Sequence, residues 1–365
     1  MRRALAAAAL LVAALPFALV GCAASRNADE PELGTLLDRV VAAGAPGVLV
    51  VLREDGHVRT EARGFADRSR SSRMHADRRF RIGSVTKTFV ATLVLRLAEN
   101  GTLGLEDTVE RWLPGVVPGG QAITVRHLLA HTAGLFDYVG DDRVVGDRER
   151  RWTPRELVAL AVAHAPERSP SGRSFAYSST NYIVLGLIAE KAGRAPLDRQ
   201  LRERLFEPLG LHSTSFVPGV IRGRHVHGHL APSRQGIITG PPRDTSDEPA
   251  WWTWAAGGIV STADDLQRFF AALLTGRVLG PALLRQMETL VPAGRLRYGL
   301  GIAAVPTSCG SAWGHSGNVQ GTIAVAWNTR DASRQLVLVV NTYPLSAELE
   351  KAVRRLQDAA FCSGS

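Results

Sequence analysis

Apolar positions Leu33, Leu36, Leu37, Val40 and Val41 recur at helical spacing and stop at Gly44, which predicts a short amphipathic helix at the start of the folded chain. Two strands follow, Gly47 to Leu52 (GVLVVL) and Val58 to Phe65, joined by Glu54-Asp55-Gly56, a hairpin signal. Strand patterns return only near the other end, at Tyr298 to Ala304, Thr322 to Trp327 and Gln335 to Asn341, before a helical run from Ser346 to Ala360. The long middle is mainly helical. Thr153-Pro154-Arg155-Glu156 is a capping box with Pro at the first helical position, and Ser261-Thr262-Ala263-Asp264-Asp265 is a second helix start. No fixed-period repeat is present. The pattern predicts an α/β protein of the α+β type: an antiparallel sheet built from both chain ends (about 32–83 and 295–362), a helical lobe (about 84–294), and a site in the cleft between them.

The first 21 residues stand apart. Arg2-Arg3 precede an apolar run from Ala4 to Val20, interrupted only by Pro16, and a small-residue site, Leu19-Val20-Gly21-Cys22, follows. This tetrapeptide resembles the bacterial lipobox, which implies a leader over 1–21, a lipid-modified Cys22 and a tether over 22–31. The expected location is then extracytoplasmic, on a membrane anchor. An ordinary secretory peptide and an uncleaved anchor are the alternatives. With Cys22 assigned to lipid, Cys309 and Cys362 remain in an oxidising space, and pairing them is the economical reading.

Composition narrows the classes. Hydrophobic residues make up 45% and charged residues 21%, which is ordinary for a globular enzyme and excludes disorder as the main state. The formal charge of +9 invites a nucleic-acid reading. Yet Lys occurs only at 87, 191 and 351, and the Arg residues alternate with acids, as in Asp147-Arg148-Glu149-Arg150, instead of forming a basic stripe. No nucleic-acid partner is expected.

The candidate chemistry starts at Ser84-Val85-Thr86-Lys87, just ahead of a helix with Phe89, Val90, Leu93, Val94 and Leu97 on its apolar face. At (i, i+3) the hydroxyl and the amine share one face of the first turn. A serine hydroxyl is a weak nucleophile until a base takes its proton, and burial lowers a lysine's pKa enough for it to be that base. By itself Ser-x-x-Lys is a weak signal, because a capping Ser and a solvated Lys give the same spacing. Two further segments add to it. Tyr177-Ser178-Ser179 lies in a polar loop before a helical run from Ile183 to Lys191, and a Tyr beside an amine can act as phenolate or proton relay. Trp313-Gly314-His315-Ser316-Gly317 lies ahead of a strong strand and suits a carboxylate-bearing acyl substrate.

In this order, Ser-x-x-Lys, Tyr-Ser-Ser and His-Ser-Gly resemble the serine β-lactamase and penicillin-binding family, and within it the branch holding DD-carboxypeptidases, class C β-lactamases and related esterases. Leu128 to Leu135 (LLAHTAGL) and Gly257 to Leu266 (GGIVSTADDL) extend the resemblance to roughly residues 32–360. It implies Ser84 as the acylated nucleophile and Lys87 and Tyr177 as its activators. It further implies an oxyanion hole from the backbone N–H groups of Ser84 and Asn318, and substrate contacts at Ser179, His315, Ser316 and Gly317. One departure stands out: the family's Asn in the second motif is Ser179 here, a shorter group with fewer donors. Asn181 is expected to face away. His315, where class C β-lactamases have Lys, tilts the reading toward carboxypeptidase or esterase.

Competing motifs fail or rank lower. Gly314-His315-Ser316-Gly317-Asn318 lacks the last Gly of a nucleophile elbow, and no His follows His315. His127 and His131 flank Leu128 where a zinc protease has Glu, so they read as structural. His225, His227 and His229 read as a polar strand face instead of a metal site. Trp251, Trp252 and Trp254 either wall the cleft or pack in the core. The expected protein is a monomeric serine hydrolase without metal or organic cofactor, acting on envelope peptides ending in D-Ala-D-Ala. The alternatives are an esterase or class C-like β-lactamase, and a slowly deacylating binder of β-lactams.

Overall fold

The computed structural model describes residues 32–69, 71–167, 174–234 and 237–362, so the leader, Cys22 and the tether lie outside the described residues. The main sheet has nine strands: β1 (Gly47–Glu54), β2 (His57–Asp67), β3 (Ser72–Arg73), β4 (Val291–Ala293), β5 (Leu296–Tyr298), β6 (Ala303–Thr307), β7 (Gly310–Val319), β8 (Thr322–Asn328) and β9 (Arg334–Val340). Their order is β4-β5-β6-β7-β8-β9-β1-β2-β3, all antiparallel. Both chain ends thus meet at the β9–β1 pair, where Leu49 faces Val339 and Val51 faces Val337.

Uninterrupted apolar runs in an antiparallel sheet require cover on both faces. Here both faces are covered. Val48, Val50, Leu52, Val325, Trp327, Leu336 and Leu338 point to one side, against helices α1 (Leu33–Ala42) and α6 (Ala347–Cys362). Leu49, Val51, Ala324, Ala326, Val337 and Val339 point to the other and merge with the core of the helical lobe. That lobe holds α2 (Thr86–Glu99), α3 (Pro154–Val162), α4 (Ser179–Gly193) and α5 (Ala263–Leu274). The β1–β2 turn places Asp55 at φ 47° and Gly56 at φ 85°, the two positive angles that a right-twisted two-residue hairpin needs. At the start of α3 the Thr153 side chain accepts from the Glu156 N–H, while Glu156 accepts from the Thr153 N–H.

Two expected strands differ. Tyr298 to Ala304 is not continuous: the chain turns back at Gly299–Ile302, so that β5 pairs with β6. The reason is contact with the helical lobe. A Cβ on Gly299 would lie 2.0 Å from the Met287 carbonyl oxygen, and one on Gly301, at φ 82°, would lie 2.2 Å from the Ala91 Cβ. The segment Trp313–Gly317, expected just ahead of a strand, lies inside β7. His131 was expected on a helical run with His127, but that helix ends at Leu129 and His131 sits beyond it at φ 55°.

Cys309, in the β6–β7 turn, is disulfide-bonded to Cys362 in the last turn of α6, closing a 53-residue separation. The bond pins the outer helix to the sheet that carries β7. Replacing both cysteines with Ser is expected to lower unfolding free energy by up to about 4 kcal/mol, the chain-entropy value for a loop of this length. Urea denaturation of the two proteins reads the difference; superimposable curves would show that the bond contributes nothing.

Candidate active site

The site begins where the main sheet meets the first turn of α2. A tight turn at Gly83–Val85 runs into α2, which is buried on nearly every side from Thr86 to Leu95. A helix apolar all round belongs to a core, and Lys87 is embedded in it at 1% exposure. Its amine is anchored at two points: Nζ donates to Ser84 Oγ at 3.0 Å and to the Ala256 carbonyl at 2.9 Å. Burial removes water from the ammonium and lowers its pKa to about 7, against a smaller opposing pull from Asp137. With the amine neutral the same 3.0 Å contact runs the other way, the Ser84 hydroxyl donating to Nζ. Ser84 itself is half-buried and opens onto a cavity of about 260 Å³ lined by Lys87, Asp137, Tyr177, Trp252 and Asn318 among others.

Tyr177 arrives from the loop before α4. Its ring lies 5.0 Å from Lys87 Nζ, and its buried hydroxyl has no hydrogen-bond partner in the described structure. Burial is the largest influence on this phenol and raises its pKa well above the usual tyrosine value, with Ser84 near enough to pull weakly the other way. A phenol held neutral is a proton relay; the phenolate alternative is removed.

β7 closes the cavity from the opposite side. Gly317 passes so near the Ser84 turn that a Cβ there would lie 2.2 Å from the Ile82 carbonyl oxygen and 2.5 Å from the Ser84 nitrogen. A Cβ on Gly83, at φ 51°, would lie 2.8 Å from the Asn318 nitrogen. Two side-chain-free positions therefore bring the Ser84 and Asn318 backbones together beside Ser84 Oγ, the arrangement in which two N–H groups could share an oxyanion.

The expected substrate contacts divide. Ser316, Gly317 and Ser179 line the cavity. His315 does not. It is fully buried, with Nε2 3.0 Å from the Tyr298 hydroxyl and Nδ1 bonded to the Ser316 carbonyl. Burial, reinforced by the nearby Lys87, lowers its pKa to about 3, so it is neutral and cannot meet a carboxylate as a cation. Adjacent strand residues point to opposite faces, and Ser316 takes the cavity side. Asn181 is buried against His131, its amide 3.1 Å from His131 Nδ1.

His131, Tyr182, Tyr298 and His315 form a polar–aromatic layer around Tyr177 and Lys87. The His131 ring lies 4.2 Å from that of Tyr177, 5.2 Å from Tyr182 and 5.0 Å from Tyr298. His131 Nδ1 accepts from the Ser178 N–H, which fixes the loop that presents Tyr177. The other histidines stay structural in their contacts. His127 Nδ1 accepts from the Thr124 N–H, while His225 and His229 bond backbone carbonyls. His227 lies between Asp67 and Asp244, a group of three side chains whose ligand atoms all fall within 4.8 Å of one another. Of the three tryptophans only Trp252 walls the cavity; Trp251 lies against Gly219 and Trp254 against Gly186.

Sequence reasoning missed two cavity residues. Asp137 lies in an otherwise apolar stretch, Leu135 to Val139, and its only signal was that polarity. Arg148 sits on the cavity wall with its guanidinium 5.0 Å from the Trp252 ring and no ion pair among the described residues. In an Arg-rich chain it carried no signal at all.

The comparisons agree with this geometry. The family model described as Beta-lactamase matches residues 33–361. Esterase EstB of Burkholderia gladioli is 30% identical over 300 residues, covering 73% of this chain and 73% of that protein. The putative penicillin-binding protein PbpX of Bacillus subtilis is 26% identical, covering 73% of this chain, but the chain spans only 63% of its length. Among solved structures, a D-stereospecific amidohydrolase from Streptomyces sp. superimposes with a TM-score of 0.81 at 33% identity, over 92% of this chain and 100% of that one.

Two measurements test the geometry. A base must be unprotonated, so kcat/KM on a p-nitrophenyl ester is expected to rise about tenfold per pH unit up to about pH 7 and then level off. Replacing Lys87 with Ala is expected to cost about 100- to 10,000-fold; a flat wild-type profile from about pH 5 to 9 would remove Lys87 from that role. Gly317→Ala is expected to push β7 off the Ser84 turn and cut acylation by about 100-fold or more, read as the rate of ester burst; an unchanged burst would show that the close approach is dispensable.

Proposed function

The chain belongs to the beta-lactamase family of serine hydrolases, and from that premise we propose that it is an amidohydrolase opening amide bonds next to D-configured residues through an acyl-enzyme on Ser84. The observation that carries the reading is the Lys87 amine, lowered to about pKa 7 and 3.0 Å from Ser84 Oγ at the base of a cavity. Ser84 Oγ attacks the carbonyl carbon as its proton passes to Lys87 Nζ. The carbonyl oxygen turns toward the N–H groups of Ser84 and Asn318 as it gains charge. The proton then moves to the departing amine, with the neutral Tyr177 phenol as relay, and the C–N bond breaks to leave a Ser84 ester. Water, deprotonated by the same amine, attacks that ester and restores Ser84. The D preference is supported by the likeness to the D-stereospecific amidohydrolase.

A DD-carboxypeptidase is the second reading, and one observation favours it. The terminal carboxylate that His315 cannot meet has an alternative partner in Arg148, an unpaired guanidinium on the same wall. The resemblance to EstB keeps ester cleavage within the same chemistry.

Purified enzyme is offered D-alaninamide, L-alaninamide, a peptide ending in D-Ala-D-Ala and benzylpenicillin, with Ser84→Ala as control. Ammonia release from the D-amide, at least about tenfold faster than from the L-amide and abolished by Ser84→Ala, is the expected result. Cleavage of the peptide alone, lost in Arg148→Ala, would replace this reading with the carboxypeptidase. Turnover of penicillin alone would replace both.

A further inference from the structure

The cavity holds one acid beside the reacting groups, and the hydrolytic steps above give it no task. Asp137 precedes a short turn at Tyr138–Gly140, and its Oδ1 accepts from the backbone N–H of Val139 at 3.3 Å and of Ser179 at 3.1 Å. Those two bonds are what a capping aspartate makes. They involve only Oδ1. Oδ2 has no partner among the described residues, and the residue is half-buried with its open side on the cavity. The carboxyl's pKa is raised to about 6, mainly by burial, so the group is an anion at neutral pH.

The neighbouring motif explains what the anion replaces. Where the family presents an Asn amide able to donate to a substrate's acylamino carbonyl, this chain has Ser179, and the Ser179 backbone N–H is bound to Asp137. A donor for a carbonyl has thus given way to an acceptor. An unpaired carboxylate at this place is matched by a cation or a strong donor on the substrate, close to the carbon that Ser84 attacks.

We propose that Asp137 is the recognition site for a free ammonium on the acyl part of the substrate, so that the enzyme takes unblocked amino-acid derivatives in preference to N-acylated ones. This rests on the amidohydrolase reading and names its substrate class. Charge balance in the site supports it. Asp137 is the chief group holding up the pKa of Lys87. A bound ammonium neutralises Asp137 and so leaves the Lys87 amine free of its proton when Ser84 must be activated. Glu167, which faces Asp137 electrostatically, adds to the negative field that the ammonium enters.

Boronic acids that add to a reactive serine test the point without turnover. Inhibition constants are measured for the boronic acid analogue of D-alanine, for ethylboronic acid, which lacks the amine, and for the N-acetylated analogue. All three are measured on the wild-type enzyme and on Asp137→Asn, whose side-chain oxygen can still accept from Val139 and Ser179. The amine-bearing compound is expected to bind the wild type about 10- to 100-fold tighter than either of the others, with the advantage falling to near unity in the variant. An advantage that is absent from the wild type, or equal in both proteins, overturns the ammonium site while leaving the acyl-enzyme reading intact. Failure of all three to inhibit overturns both. If the variant does not fold, the wild-type contrast between the amine-bearing and N-acetylated compounds decides.

Discussion

A primary amine held out of water, one helical turn from a serine hydroxyl, is the constraint on which the rest of the molecule depends. In solvent Lys87 would keep its proton near neutrality and Ser84 would be an ordinary alcohol. The 3.0 Å contact becomes a catalytic device only because α2 is buried on nearly all sides. The helical lobe is the agent of that desolvation. The Ala256 carbonyl gives the amine a second fixed partner, so the nitrogen remains aimed at Ser84 in either protonation state.

Around that pair the protein arranges neutral polar groups in place of charges. His131, His315, Tyr177, Tyr182 and Tyr298 are packed together, and burial drives each of them toward its uncharged form. A cationic imidazole there would repel the Lys87 ammonium, and Lys87 in turn lowers the pKa of both histidines. Formal charge is confined to the cavity: Asp137 on one part of its lining and Arg148 on another. Family membership thus accounts for how the bond is broken, while these two wall residues are where this chain differs in what it accepts.

The sheet performs a positioning task that its outward regularity conceals. β7 is an interior strand with a substrate-facing end, and glycines at 83 and 317 let it approach the Ser84 turn within a distance that any side chain would prevent. The disulfide at Cys309 and the packing of α1 and α6 secure the far face of the same sheet. Stability on one side of the sheet therefore translates into a fixed gap between two backbone N–H groups on the other.

Much of this was written into the chain. Apolar runs at β1, β8 and β9 announced a sheet covered on both faces, because a one-sided sheet alternates. The Thr153 capping box, the Asp55-Gly56 turn and the Ser84–Lys87 spacing are local devices, readable because each acts over a few residues. Leftover cysteines at 309 and 362 announced their own bond. What the sequence could not convey were facts about neighbours far along the chain. His315 and Ser316 are consecutive, and only the packing of Tyr298 against β7 decides which of them meets a substrate. The turn at Gly299–Ile302 exists because Met287 and Ala91 occupy the space a straight strand would need. Asp137 lies 50 residues from Lys87 in the chain, and only the folded lobe makes the two electrostatic neighbours. Periodicity records which side of an element is buried; which group stands opposite is settled by tertiary contact alone.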